Sequence, residues 1–347
     1  MGSPPRKPSK ATLKDVARKA GPSIATASVV LSQSTSKYVS EELRRRVLEA
    51  ARYYNYRPNL SARRMKGKNG RSLAILVPQF ENFFFNRIVI GAENYANARE
   101  YILSIYSTLD EEEKEIRFIE NLISSGVDGV LISPSRYERR SVALLKELGI
   151  PYVVVDRPVA GVEHDQVVVD NYEAAYKGTK YLLQNGHRRL ALFGWKSDLS
   201  TITDRIKGFR AAVAEAGLAP AEVAVYETER TREAGYELAL RVLRQRRFTA
   251  IFAAYHPIAE GIVDALHTLK IKVPDEISLL IYGNPTWASI TTPRYSCLVQ
   301  PDLEVGQKAA ELIIERLENP DRPYEQHVLP TRLEIRESVK YLTPVVL

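Results

Sequence analysis

The chain has 347 residues, of which 45% are hydrophobic and 26% charged, with a net charge of +7. It is too long for one ordinary core, which points to two or three soluble globular domains. No apolar run reaches the ~18 residues of a membrane helix. The first residues lack a secretory h-region, and the lone Cys297 has no internal disulfide partner, so a cytoplasmic protein is expected.

The charge is unevenly spread. Residues 1–72 hold 17 Lys/Arg against 4 Asp/Glu, whereas the remainder holds 32 against 38. A basic head on a mildly acidic body is the footprint of a polyanion-binding module. A solvated basic tail would give the same charge, so the motifs decide.

Residues 1–11 are rich in Pro, Lys and Ser and read as a disordered tail. Thr12 is placed to cap a helix, with Asp15 three residues on. Leu13, Val16, Ala17 and Ala20 fall on one face, and Gly21 suits a left-handed C-cap. Ser23 is an N-cap for a second helix, Ile24 to Leu31, with Ala27, Val30 and Leu31 inward. Ile24, Ala25, Ser28 and Val29 then lie outward or at its leading end. Ser40 caps a third helix, Glu41 to Tyr54, with Leu43, Val47, Leu48 and Ala51 on its core face. Two short helices braced by a third is the helix-turn-helix layout. A three-helix bundle with no nucleic-acid role is the plain alternative.

Pro58 stops the third helix, and Asn59 is placed to cap a further short one before Gly67 and Gly70. Such a helix is marginal alone. Met65, flanked by Arg63, Arg64 and Lys66, has the composition of a minor-groove wedge with cations for phosphates. A flexible basic linker is the bland reading of the same residues.

From Ser72 short apolar runs alternate with amphipathic helices. Strands are expected at 73–77, 101–106, 130–132 and 152–155, with helices at 87–100, 111–125 and 141–148. A second series starts near Val167, with strands at 190–193, 223–226, 250–254 and 277–282. Its helices fall near 172–184, 205–216, 232–244 and 258–269. Continuous apolar strands between helices mean parallel sheets covered on both faces. Two such halves predict two doubly wound lobes with a cleft between them. A last helix, 303–317, and a strand-like stretch, 326–335, close the chain.

Enzyme signatures are lacking: there is no G-x-G-x-x-G after the first strand, no Walker loop and no G-x-S-x-G elbow. The five His residues have no metal-ligand spacing, and His164, next to Asp165, and His187 read as surface residues. No cofactor, metal or catalytic residue is expected.

The head strongly resembles LacI-family transcription regulators. The family pattern T-I-K-D-V-A, G-V-S-x-x-T-V-S-R-V-L, V-S and Y-x-P-N-x-x-A-R-S-L meets Thr12 to Ala17, Gly21 to Leu31, Val39-Ser40 and Tyr56 to Met65 here. In the body, Asn82-Phe83-Phe84, Asp156-Arg157-Pro158, Val169-Asp170-Asn171, Gly186-His187, Arg205-x-x-Gly208-Phe209 and Gln300-Pro301 also fit, more loosely. The resemblance implies a small all-α helix-turn-helix domain plus an α/β core of two doubly wound parallel-sheet lobes, similar to type I periplasmic binding proteins. Its expected boundaries are 12–57 for the head, 58–71 for the hinge and 72–347 for the core. The N-lobe would take about 72–168 plus 296–325, and the C-lobe about 169–295 plus 326–340.

It further implies a repressor controlled by a small effector. DNA contacts would fall to Thr12, Ser23, Ile24, Ala25, Ser28, Val29, Asn59, Ala62, Arg63 and Met65. The cleft would be lined by Phe80, Phe84, Ser133, Asp156, Arg157, Arg205, His256 and Asn284. Near-palindromic operator DNA implies a homodimer, formed through the helix 87–100. No heptad helix of the tetrameric members follows Lys340. The alternative is a solute-binding or sugar-processing protein with a basic tail.

Two departures stand out. The recognition helix is apolar at Ile24, Ala25 and Val29, where the family often has Arg or another polar reader at the last position. Readout through thymine methyls and DNA shape is therefore expected to outweigh hydrogen bonding. In the cleft, Tyr255-His256 and Gly283-Asn284 stand where the family carries acids. With Arg157 and Arg205 kept and His256 titratable, an acidic or phosphorylated sugar-like effector is expected.

Overall fold

A computed structural model describes residues 11–31, 39–56, 70–135, 140–159 and 161–342. Residues 1–10 and 57–69, and with them the tail, the hinge helix and Asn59, Ala62, Arg63 and Met65, lie outside them. The chain divides into two compact units, 1–70 and 71–347.

The first unit holds α1 (Leu13–Ala20), α2 (Ile24–Leu31) and α3 (Glu41–Tyr53). Thr12 and Asp15 form a reciprocal capping box, and Gly21 ends α1 at φ 92°. Val16, Ala17, Ala20, Ala27, Val30, Val47, Ala50 and Ala51 make the core. Leu48, expected there, is exposed instead. It sits one step beyond the buried 47–50–51 face of α3, which that small core does not reach.

The second unit contains two six-stranded sheets. The first carries β1 (Ser72–Val77), β2 (Ile102–Ser107), β3 (Gly129–Ile132), β4 (Tyr152–Val155), β5 (Asp165–Val169) and β11 (Gln326–Leu329) in the order 11-5-4-3-1-2, all parallel. The second carries β6 (Leu190–Trp195), β7 (Val223–Thr228), β8 (Ala250–Ala253), β9 (Ser278–Tyr282), β10 (Ser296–Val299) and β12 (Arg332–Glu334) in the order 12-10-9-8-6-7. In it only β12 runs antiparallel. Helices α4 (Phe83–Asn97), α5 (Glu112–Ser125), α6 (Arg140–Glu147) and α11 (Asp302–Glu318) belong with the first sheet. Helices α7 (Asn171–Gln184), α8 (Ser200–Glu215), α9 (Arg232–Leu243) and α10 (His256–Thr268) belong with the second.

The lobe assignment differs from the sequence expectation at two places. β5 closes the first sheet, within the expected first lobe. β10 joins the second sheet, and β11 the first. The stretch 326–335 is two strands, broken at Pro330, which has no N–H for a ladder. The chain therefore crosses between lobes three times, after β5, after β10 and between β11 and β12.

Close helix packing explains two glycines. A Cβ on Gly306 of α11 would lie 1.9 Å from the Ile88 carbonyl oxygen of α4, and one on Gly208 of α8 would lie 2.2 Å from that of Tyr172 of α7. α4 starts a turn earlier than expected because the Asn82 side chain caps it, accepting from Phe84 N–H at 3.0 Å. His164 and His187 are buried rather than superficial. His187 bonds Thr249 and the Lys340 carbonyl, which holds the C-terminal stretch to the second lobe. Asp165 is bound by Arg316 of α11 at 3.0 and 3.2 Å.

Candidate DNA-reading helix and interlobe cleft

In the head, Ser23 Oγ accepts from Thr26 N–H at 3.1 Å and fixes the start of α2. Ser23, Ile24 and Ala25 are exposed at that leading end, with Ile24 48% accessible. Ser28 and Val29 follow as half-buried positions, while Ala27 and Val30 face the core. Thr12 commits its hydroxyl to Asp15, at 2.6 Å. The exposed end of α2 is thus apolar apart from its capping serine. That surface suits contact with thymine methyls.

In the core, the loops at the C-terminal ends of the strands converge between the sheets, where open α/β sheets bind ligands. Of the residues named for the cleft, the structure brings Phe84, Asp156, Arg157, Arg205 and His256 together there. Trp195, Arg230, Tyr255, Tyr282 and Gln300 join them, together with Asn82. Each follows or ends a strand, and that positional rule is the signal that would have found them. The cavity volume left between these side chains is only about 30 Å³, room for one or two waters.

Three expected residues lie elsewhere. Phe80 is exposed beside the cleft, its carbonyl accepting from Asn86. Ser133 is buried behind the wall at the end of β3. Asn284 follows Gly283, whose φ of 96° turns the chain away. Arg336 then holds Asn284 Oδ1 at 2.8 Å, in an adjoining cavity of about 290 Å³.

Arg205 is tightly placed. Its Nε donates to Asn171 Oδ1 at 2.8 Å and its Nη1 to the Ala254 carbonyl at 2.7 Å. Asp156 is buried at φ 65°. Burial pushes its carboxyl up to about 6, against the pull of Arg157 and Arg205. Asp156 Oδ1 and Trp195 Nε1 have no hydrogen-bond partner among the described residues. The cleft thus offers one spare acceptor and one spare donor among aromatic walls. His256 packs edge-on against Phe83 at 4.8 Å. Burial, with Arg205 adding to it, lowers His256 to about 3, so it is neutral at physiological pH and supplies no positive charge.

The expected excess of positive charge is also reduced from within. Asp110, in the turn before α5, lies between Arg157 and Arg230. Burial favours the protonated acid, but the two guanidiniums outweigh it and hold the Asp110 carboxyl below its ordinary value.

No helix among the described residues is long and apolar enough to cross a membrane, and no cluster of three or more His, Cys, Asp or Glu is placed to hold a metal ion.

Residues 12–59 match the model of bacterial regulatory proteins of the lacI family, and residues 179–339 that of the periplasmic binding protein-like domain. The chain is 33% identical over 336 residues to the HTH-type transcriptional repressor PurR of Vibrio campbellii, covering 96% of this chain and 99% of the relative. Among solved structures, a LacI-family transcriptional regulator from Silicibacter pomeroyi aligns with a TM-score of 0.81 at 25% identity, covering 95% and 99% of the two chains. A LacI-family regulator from Enterococcus faecium with bound ribose aligns with a TM-score of 0.72 at 25% identity, covering 78% and 100%. With both modules matched and a 33% identical relative aligned across almost its full length, the chain belongs to the LacI family of bacterial transcriptional regulators.

Proposed function

We propose that this protein is a cytoplasmic, homodimeric repressor that reads a near-palindromic operator with α2 and answers to a small carbohydrate-like effector in the interlobe cleft. The observation that carries the reading is the cleft's pair of orphan groups, Asp156 Oδ1 and Trp195 Nε1, on a chain that also presents a capped, exposed helix start at Ser23. Buried polar atoms without partners cost free energy, and a ligand with one donor and one acceptor satisfies both. Ribose is bound in one structural neighbour, and another is a regulator–cellobiose complex. Both are consistent with a sugar-like ligand here. An acidic or phosphorylated group remains part of the proposal through Arg157 and Arg230.

The first lobe supports a two-fold interface. Ile90 on α4 and Ile105 on the edge strand β2 are exposed on neighbouring elements, and Ile102 is exposed on the other side of the same edge strand, apolar exposure of the kind that marks an interface. An effector that changes the lobe angle would then alter the spacing of the paired heads and with it operator affinity.

A gel shift in moderate salt, with and without residues 1–66, tests the reading. The full chain is expected to select a specific site and the truncated chain none. A thermal-shift panel of neutral, acidic and phosphorylated sugars tests the cleft. Loss of selective DNA binding in the full chain would favour a solute-binding protein instead.

A further inference from the structure

We propose that Asp110 is a tethered anion: it occupies the place between Arg157 and Arg230 that an acidic effector's carboxylate or phosphate would take, and in doing so pins the two lobes together. This deepens the effector-cleft reading above and rests on it for its regulatory meaning.

The geometry is specific. Arg157 follows β4 in the first lobe and Arg230 follows β7 in the second. Asp110 Oδ1 accepts from Arg157 Nη1 at 2.5 Å, and Oδ2 accepts from Arg230 Nη2. One carboxylate is thus divided between two lobes, one oxygen for each. Arg157 is also tied to the Pro134 carbonyl at 3.0 Å, which fixes it on its own lobe. Leu109 and Asp110 both sit in the left-handed region, at φ 57° and 58°. Successive non-glycine residues there are held by their surroundings rather than by preference. Thr108 N–H, donating to the Val77 carbonyl at 2.9 Å, anchors the turn from behind.

Other contacts across the cleft are weaker. Asn82 Nδ2 reaches Tyr255 Oη at 3.4 Å, and Phe83 meets His256 edge-on. A charge-assisted pair is roughly twice as strong as a neutral one, so the Asp110–Arg230 link dominates closure. An entering anion must displace Asp110, and when it does, the link from Arg230 passes from the protein to the ligand. A neutral sugar leaves the triad in place. Asp110 therefore sorts effectors by charge and converts the arrival of an anion into a change at the lobe interface.

The test uses the full chain without DNA, spin-labelled at Glu120→Cys on α5 and Glu237→Cys on α9, both exposed positions. Cys297 is buried and its thiol is pushed up to about 12, so it stays unlabelled. Electron–electron distance measurements are expected to give a short, narrow distribution in the parent. Asp110→Asn and Arg230→Gln should each give a longer, broader one. Calorimetry with inorganic phosphate should show Asp110→Asn binding about tenfold or more tightly than the parent. Thermal melts of both variants check that each is folded. Unchanged distances in both folded variants, or no gain in phosphate affinity for Asp110→Asn, would overturn the proposal. Operator binding is scored separately, so failure of the regulator reading leaves this result standing on its own.

Discussion

Arg205 lies over the ring of Tyr282, its guanidinium carbon 3.5 Å from the ring centroid, and both side chains donate to the same Asn171 Oδ1 at 2.8 Å. Asn171 begins α7, Arg205 belongs to α8, and Tyr282 ends β9. The arginine therefore ties three elements of the second lobe together beneath the cleft. Its place in the wall is a consequence of that framework.

Lysine cannot reproduce the planar fork or the stack. Arg205→Lys is expected to lower stability by about 1.5–3 kcal/mol, the range for hydrogen bonds to a charged group, and to abolish the effector response. Denaturant unfolding and a ligand titration check the two halves. An unchanged midpoint would show that the Asn171 and Ala254 bonds contribute nothing net.

Two buried groups give opposite pH dependences. Asp156 has its carboxyl raised to about 6 from 3.8. Between those values the folded state holds more protons than the unfolded one, so this group makes stability fall as pH rises from about 4 to 6. At neutral pH its ionised burial costs about 3 kcal/mol. His256 is lowered to about 3 from 6.5. There the unfolded state holds more protons, so stability is lost as pH falls below 6.5. The two slopes oppose each other between about pH 4 and 6. Asp156→Asn is expected to steepen the loss on acidification and to raise stability at pH 7–8. His256→Gln should remove its share of that loss and shift the slope toward stability gained on acidification between about pH 6 and 4. Urea midpoints across that range decide it, and parallel curves for the parent and both variants would refute the opposition.

On the proposed reading of the operator by α2, Val29 faces a base pair. The parent should return no invariant guanine at the base pair facing Val29 in a binding-site selection. Val29→Arg should return one, with discrimination of about 1–3 kcal/mol against other bases. A parent site with a fixed guanine there would show that some other side chain supplies the contact.

The layering of the core could be read from the chain because buried parallel strands are continuous apolar runs, as at Leu73 to Val77 and Val153 to Val155. Which sheet each late strand joins could not be read. Cys297 to Val299 and His327 to Leu329 are equally short, and only pairing with β9 and β5 separates them. In the cleft, motif spacing placed Arg157 and Arg205. It did not place Asp110, which opens the acidic run Asp110 to Glu113 and reads as the solvated start of a helix. Its role comes from two left-handed residues that turn it inward, a backbone feature with no glycine to announce it. The shifts at His256 and Asp156 were hidden for the same reason, since burial is a property of neighbours distant in sequence.

The apolar edge of the first lobe gives the last prediction. Ile102 is 72% accessible on β2, an edge strand of its sheet, so replacing it leaves the folded protomer almost untouched. A two-fold interface repeats every contact, and one substitution acts twice. Burying an isoleucine contributes about 1.5–3 kcal/mol, so Ile102→Asp removes roughly 3–6 kcal/mol from association before the cost of burying two carboxylates is counted. That corresponds to a dimer dissociation constant weakened by at least about a hundredfold. Sedimentation equilibrium is expected to show a dimer for the parent and a monomer for the variant, with an unchanged thermal melt for any unassociated fraction. Operator affinity should fall with it, because each head alone would read only half of the proposed near-palindromic site. A variant that stays dimeric would place the interface away from β2.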